Sequence, residues 1–248
     1  MRSGDARRAA VAAATCGFFL TALAACGNPR TGADHGAVPR PGGTEGTTRP
    51  GPAEPSRVPG VGDRLWQQVP VDTGQVVAVY GEQEDSPNST LVLYEKRGAT
   101  WDRTGSWPAH NGRQGWATDH HMDDERSPVG VFTLSDAGGI LDDPGTRLPY
   151  LQDKEAFVSP FSWDESHWRD FDYVIAIDYN RLRGTPPFDP TRPEGEEKGG
   201  GIWLHLDHGN GTLGCVSVPE FAMEYLLRTL DPKQNPVVVM GDRANLQA

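Results

Sequence analysis

The chain has 248 residues, a formal net charge of −11, 36% hydrophobic residues, and 30 Gly and 21 Pro. So acidic a protein is a poor match for nucleic acid or an anionic surface, and no nucleic-acid partner is expected. Its 3 cysteines fall at positions 16, 26 and 215, too few and too poorly placed for a disulfide framework.

The N-terminus carries Arg2, Arg7 and Arg8, then an apolar run from Ala9 to Ala22, then Leu23-Ala-Ala-Cys26. A positive start, an apolar stretch too short to span a bilayer comfortably, and small residues before cysteine resemble a bacterial lipoprotein signal. Residues 1–25 are therefore expected to be removed and Cys26 to be lipidated. Cys16 is a weaker acceptor because threonine precedes it and its apolar run is too short. The resemblance implies a protein outside the cytoplasm, anchored by lipid to the outer face of the membrane and lying within the cell wall. Removing residues 1–25 leaves 20 basic and 33 acidic residues, a net of −13.

Residues 26–62 read as a tether. Positions 27–62 hold 7 Pro and 9 Gly with no apolar periodicity, and such a segment reaches from ~30 Å as a coil to ~110 Å when extended. Residues 63–248 are then long enough for one domain with a substantial core. Short runs rich in β-branched and aromatic residues recur between turn signals: Gln75 to Tyr80, Ser89 to Tyr94, Thr100 to Trp107, Gly130 to Leu134, Tyr173 to Asp178, Gly201 to His205 and Pro236 to Met240. These predict strands. A helix is predicted from Pro219 to Leu230, with proline at its start and Phe221, Ala222, Tyr225, Leu226 and Thr229 on one stripe. The expected fold is mainly β, a sandwich or barrel with one or two short α-helices, and the expected state is a monomer.

The most reactive-looking position is Cys215, the one cysteine outside the N-terminal region, behind Gly214 and ten residues after His205. Cysteine and histidine in this relation suit a thiol nucleophile and its base, with His205 taking the proton from Cys215 to leave a nucleophilic thiolate beside an imidazolium. The N–H groups of the Leu213-Gly214-Cys215 turn are candidate donors to an oxyanion. A buried, inert cysteine is the plain alternative.

Two blocks carry a family resemblance: His205 followed by Thr212-Leu213-Gly214-Cys215-Val216, and Arg126-Ser-Pro128-Val-Gly130-Val-Phe132 upstream. Together they resemble the L,D-transpeptidase catalytic domain family, the cysteine enzymes that cross-link peptidoglycan. The resemblance implies Cys215 as nucleophile, His205 as base, and the Leu206 carbonyl as the group orienting the imidazole. It implies peptidoglycan stem tetrapeptides as substrate, a thioester at Cys215, release of D-alanine, and a 3→3 cross-link, or hydrolysis by an L,D-carboxypeptidase of the same fold. Two departures stand out. Leu213 occupies the place of the family's usual histidine, and the gap from His205 to Cys215 is short, which leaves open a catalytically degenerate wall-binding lipoprotein.

Other residues are candidates for substrate contact. Thr212, Leu213, Trp163, His121 and Arg126 are placed there, with Arg126 serving either as a brace for the sheet or as a partner for an anionic group. Trp168 and Tyr173 are equally suited to core or wall, and Pro186 to Gly201 reads as a long loop or lid. His208 invites a metal reading with His205 and the His120-His121-Met-Asp123-Asp124 cluster. On a strand, however, His205 and His208 point to opposite faces, and no ordered ligand pattern accompanies them. No metal and no cofactor are expected.

Overall fold

The continuous apolar run Gln75–Gly81 is buried along almost its whole length, as a strand covered on both faces must be. The computed structural model, which describes residues 56–248, shows what covers it. The expected signal segment, the lipidation at Cys26 and the tether up to residue 55 lie outside the described residues.

In chain order the elements are α1 (Asp63–Trp66), β1 (Gln75–Gly81), β2 (Asn88–Arg97), β3 (Thr100–His110), β4 (Trp116–Ala117), β5 (Ser127–Pro128), β6 (Gly130–Gly139) and β7 (Tyr150–Gln152). They continue with β8 (Val174–Ile177), β9 (Trp203–Leu206), β10 (Val216–Val218), α2 (Glu220–Thr229), β11 (Val237–Asp242) and α3 (Arg243–Gln247). The main sheet runs β11-β1-β2-β3-β10-β9-β8-β6-β7, and β11 also pairs with the first half of β6. That extra pairing closes the sheet into a barrel, with β7 lying beside the second half of β6. The fold is mainly β, as the sequence pattern predicts.

Alternate residues of β1 and β11 enter different cores. Val77, Val79, Val238 and Met240 join the larger cluster, together with Leu204, Val216 and the buried face of α2. Val76, Ala78, Val237 and Val239 join a second cluster with Leu65 of α1 and Leu246 of α3. Val58 and Val61 also belong to this second cluster and are 0% and 3% exposed. Packing therefore begins before Asp63, inside the stretch assigned to the tether. Two valines among prolines and glycines give no periodic signal, so their burial is legible only once the outer layer is in place.

The predicted helix forms, but its buried stripe is Ala222, Met223, Leu226 and Leu227. Phe221 and Tyr225, expected on the inner face, are 65% and 39% exposed. The helix is turned by about one residue, so that Met223 and Leu227 join the core while Tyr225 packs outside against Trp107 at 5.3 Å between ring centroids.

Parallel pairing of β9 with β10 sets up the site. Val216 lies opposite Leu204 and Ser217 opposite His205. Leu204, Leu206, Val216 and Val218 face the core. Strand alternation then sends Trp203, His205, Cys215 and Ser217 to the opposite face. On the far side β10 meets β3 through one residue pair, Ser217 with His110. Asp207 reinforces this thin seam, accepting from the Ser217 hydroxyl at 2.7 Å and lying 2.7 Å from Nδ1 of His110.

Candidate active site

Cys215 stands at the entry to β10, where Gly214 adopts φ 142°. A Cβ at Gly214 would come within 3.1 Å of the Arg126 carbonyl and 3.2 Å of Ile202, so glycine is the residue that fits this turn. The turn is braced from the second sequence block. Ser127, fully buried, directs its hydroxyl to the carbonyls of Gly214 and Cys215 at 2.7 and 3.1 Å and accepts from the Gly112 N–H at 2.9 Å. The Thr212 hydroxyl donates to the Cys215 carbonyl at 2.7 Å and accepts from the Gly214 N–H at 3.1 Å. Its polar atoms are thus committed to the turn itself.

His205 is 3% exposed, and its Nδ1 lies 2.8 Å from the Leu206 carbonyl. A carbonyl only accepts, so Nδ1 carries the proton and Nε2 is the basic nitrogen of the neutral ring. Burial lowers the His205 pKa, outweighing the Asp170 carboxylate and the Leu206 carbonyl that favour its cation. Burial pushes the Cys215 thiol up from 9.0 to about 11, partly offset by the Trp203 N–H, which lies 3.4 Å from Sγ. Both shifts favour neutral forms. The resting pair is therefore a thiol and a neutral imidazole, which corrects the thiolate and imidazolium expected from sequence. The reason is desolvation, which penalises charge on either partner and which spacing along the chain does not reveal.

Two chambers meet at Cys215. The smaller, ≈ 340 Å³, is lined by His205, His208, His167, Asp170, Phe171 and Thr212 among others. The larger, ≈ 730 Å³, extends past Trp203, Ile202, His120 and the Gly199–Gly201 run. Arg113, Trp163, Phe171, Leu213 and Cys215 border both. Phe171 packs edge-on to Trp203 and to His205, with ring centroids 5.2 and 5.5 Å apart. Trp163 continues this aromatic wall towards Phe171 at 6.2 Å. Of the other two aromatics weighed for the wall, Trp168 is on the surface and Tyr173 is buried in the core.

The structure therefore brings together Cys215, His205, Thr212, Leu213 and Trp163. Leu213, 54% exposed, forms part of the rim between the chambers. It does not gather His121 and Arg126 into either chamber. The His121 side chain is on the surface, 3.5 Å from Asp119, while its neighbour His120 is the buried one, 2.8 Å from Asp124. Arg126 binds the Trp116 carbonyl at 3.0 Å and Asp85 at 2.7 Å, the bracing role, while Arg113 borders both chambers and Arg192 the larger one. His208 also departs from expectation. Strand β9 ends at Leu206, so alternation no longer applies at position 208, and the His205 and His208 rings lie nearly parallel, 6.2 Å apart, in one cavity. Burial lowers the His208 pKa, but the adjacent Asp170 carboxylate outweighs it and leaves the net shift upward.

Sequence reasoning missed Ser127, Arg113, His167 and Asp170. Ser127 sits inside the second block, and its chemistry was hidden behind the more obvious Pro-Val-Gly pattern. His167 and Asp170 lie in the aromatic-rich stretch before β8, with no spacing that marks them. Arg113 carries no local signal at all.

A family model described as the L,D-transpeptidase catalytic domain matches residues 84–239. Among solved structures, that of Bd1075 from Bdellovibrio bacteriovorus aligns at 22% sequence identity with a TM-score of 0.39, covering 68% of this chain and 48% of that one. The chain thus spans about half the length of that protein. No curated protein sequence matches.

Proposed function

The chain belongs to the L,D-transpeptidase catalytic domain family, and on that footing we propose that it is a cysteine acyltransferase acting on peptidoglycan stem tetrapeptides through Cys215. The observation that carries this proposal is the meeting of two chambers at Cys215, with His205 on the same sheet face and its Nδ1 tied to the Leu206 carbonyl.

Nε2 of His205 accepts the Sγ proton as sulfur attacks the carbonyl carbon of the third stem residue. The tetrahedral oxyanion collects on backbone N–H groups of the turn. The Gly214 N–H already donates to Thr212, so the Cys215 N–H is the assigned donor, and one such donor contributes ~3 kcal/mol of transition-state stabilisation. The C–N bond then breaks, the imidazolium passes its proton to the departing D-alanine amine, and a thioester remains. An acceptor side-chain amine attacks the thioester and gives its proton to Nε2, the C–S bond breaks, and the imidazolium returns that proton to the departing sulfur, regenerating the Cys215 thiol with a 3→3 cross-link formed.

Separate approaches to sulfur favour transfer over simple hydrolysis, because donor and acceptor strands need not compete for one entrance. Leu213 at the rim supplies apolar surface where a histidine would compete for protons, and His205 is the base assigned to the cycle. Lipidation at Cys26 completes the proposal by holding the catalytic domain at the outer face of the membrane, within reach of the wall. A diacylglyceryl mass on Cys26 tests that part.

Incubation of the purified protein with disaccharide tetrapeptide, followed by muropeptide analysis, tests the reaction. Cross-linked dimer with free D-alanine is expected. Tripeptide monomer without dimer would make the enzyme a carboxypeptidase, and no turnover with retained wall binding would make it a degenerate binding module.

A further inference from the structure

Three side chains outside the proposed proton path converge on the smaller chamber. His167, in the 3-10 turn Glu165–His167, places Nδ1 2.9 Å from Oδ2 of Asp170. Nδ1 of His208 lies 3.2 Å from that same oxygen, and the three residues each offer a ligand atom within 4.8 Å of the other two. The His167 and His208 rings are 4.1 Å apart between centroids. The side chains of Asp170 and His208 are each 4% exposed.

Internal hydrogen bonding leaves this cluster unsatisfied. Nε2 of His208 lies 3.4 Å from the Gly211 carbonyl, and since a carbonyl only accepts, Nε2 holds the proton. In the neutral ring Nδ1 is then a bare lone pair, and it faces a carboxylate oxygen. Buried Nδ1 has no hydrogen-bond partner, its approach to Asp170 being an electrostatic contact without hydrogen-bond geometry. The same Oδ2 already receives His167. The carboxylate raises the His208 pKa, so positive charge is drawn to this buried nitrogen 3.2 Å away, and either a proton or a bound metal ion supplies it.

The donor set and spacing suit a particular kind of cation. Two imidazole nitrogens and a carboxylate oxygen are ligands of zinc-class ions, whose bonds of about 2.0–2.2 Å put neighbouring tetrahedral ligands roughly 3.3 Å apart. The 2.9 and 3.2 Å separations from the Asp170 oxygen are close to this, and the histidine ligand atoms lie within 4.8 Å of each other. The Gly211 carbonyl behind His208 supplies the outer contact that fixes the tautomer of a metal-binding histidine.

We propose that His167 Nδ1, Asp170 Oδ2 and His208 Nδ1 form a site for one divalent transition ion of the zinc class, with its fourth position open to the smaller chamber. The site stands as a binding site whatever the reaction. Its effect on turnover rests on the catalytic proposal above: a cation on His208, whose ring stacks 6.2 Å from His205, opposes the imidazolium that acylation requires, so the bound ion slows acylation.

The test uses the full chain carrying Cys16→Ser and Cys26→Ser, so that Cys215 is its one thiol, stripped with chelator and titrated with Zn²⁺ by calorimetry. One ion per chain is expected, with affinity falling roughly tenfold or more in His167→Gln and in His208→Gln and unchanged in Cys215→Ser. No binding, binding kept in both histidine variants, or binding lost in Cys215→Ser would overturn the proposal. Should a histidine variant fail to fold, Co²⁺ substitution in the parent chain decides. Tetrahedral visible bands without a thiolate charge-transfer band support the site, and a charge-transfer band places the ion on Cys215 and refutes it.

Discussion

Alkylation of Cys215 as a function of pH separates a neutral resting pair from a preformed thiolate. Iodoacetamide reacts with the thiolate, so the rate follows the ionised fraction of sulfur. With the thiol raised from 9.0 to about 11, the thiolate fraction at pH 7 is about 10⁻⁴ in place of about 10⁻², a deficit of roughly a hundredfold. The cause is desolvation of the sulfur, which the Trp203 N–H at 3.4 Å offsets only in part, while the His205 pKa is itself lowered by burial. The assay quantifies the modified Cys215 peptide by mass spectrometry between pH 5 and pH 11, with urea-unfolded protein as reference. The unfolded thiol should titrate near 9.0, and the folded one should still be rising at pH 10. Because the midpoint is compared, slow access of the reagent does not affect the conclusion. A folded-state plateau with its midpoint between pH 5 and pH 8 would refute the neutral pair and restore the thiolate and imidazolium.

Other perturbations have defined outcomes. Gly214→Ala puts a side chain into a φ 142° backbone against the Arg126 carbonyl, and should cost about 1–3 kcal/mol in denaturant unfolding and lower acylation at least tenfold. Ser127→Ala strips the Gly112 N–H and the turn carbonyls of their buried partner, for a loss of about 1–3 kcal/mol, while Ser127→Thr should recover part of it. Leu226→Ala, at a fully buried position of α2, should destabilise by about 2–5 kcal/mol, whereas Phe221→Ala on the exposed face should change stability by less than about 1 kcal/mol. His205 is neutral in the fold with its pKa below 6.5, so the unfolded chain takes up this proton first as pH falls. Stability from this group is full above pH 6.5 and lost below it, and thermal unfolding of His205→Gln should show a shallower acid dependence than the parent.

The strands were legible because each is an apolar run bounded by turn residues. The run Gln75–Gly81 and the segment Trp203–Leu206 could hardly be anything else. Strand β10 was not legible, since Val216-Ser217-Val218 is three residues long and is defined by its parallel partner. Closure of the barrel through β6 and β11 is equally a property of pairing, which local sequence does not encode. Within the site, Cys215, His205 and the Leu206 carbonyl share one short stretch whose geometry follows from strand alternation and a glycine turn. Whether His120 or His121 is the buried one is undecided by a loop without periodicity, and that Arg113 rather than Arg126 borders the chambers follows only from the tertiary fold. His208 was misplaced because alternation was extended two residues beyond the end of β9. Neutrality of the catalytic pair came from burial alone, and burial is a tertiary property.

The central claim is a covalent acyl group on Cys215, and intact mass spectrometry of the protein mixed with a disaccharide tetrapeptide tests it most directly. The expected spectrum shows the parent mass increased by the acyl donor less D-alanine, with the adduct mapping to the Cys215 peptide, absent in Cys215→Ala and strongly reduced in His205→Ala. Release of D-alanine at an unchanged rate by Cys215→Ala, or an adduct mapping elsewhere, would contradict the account.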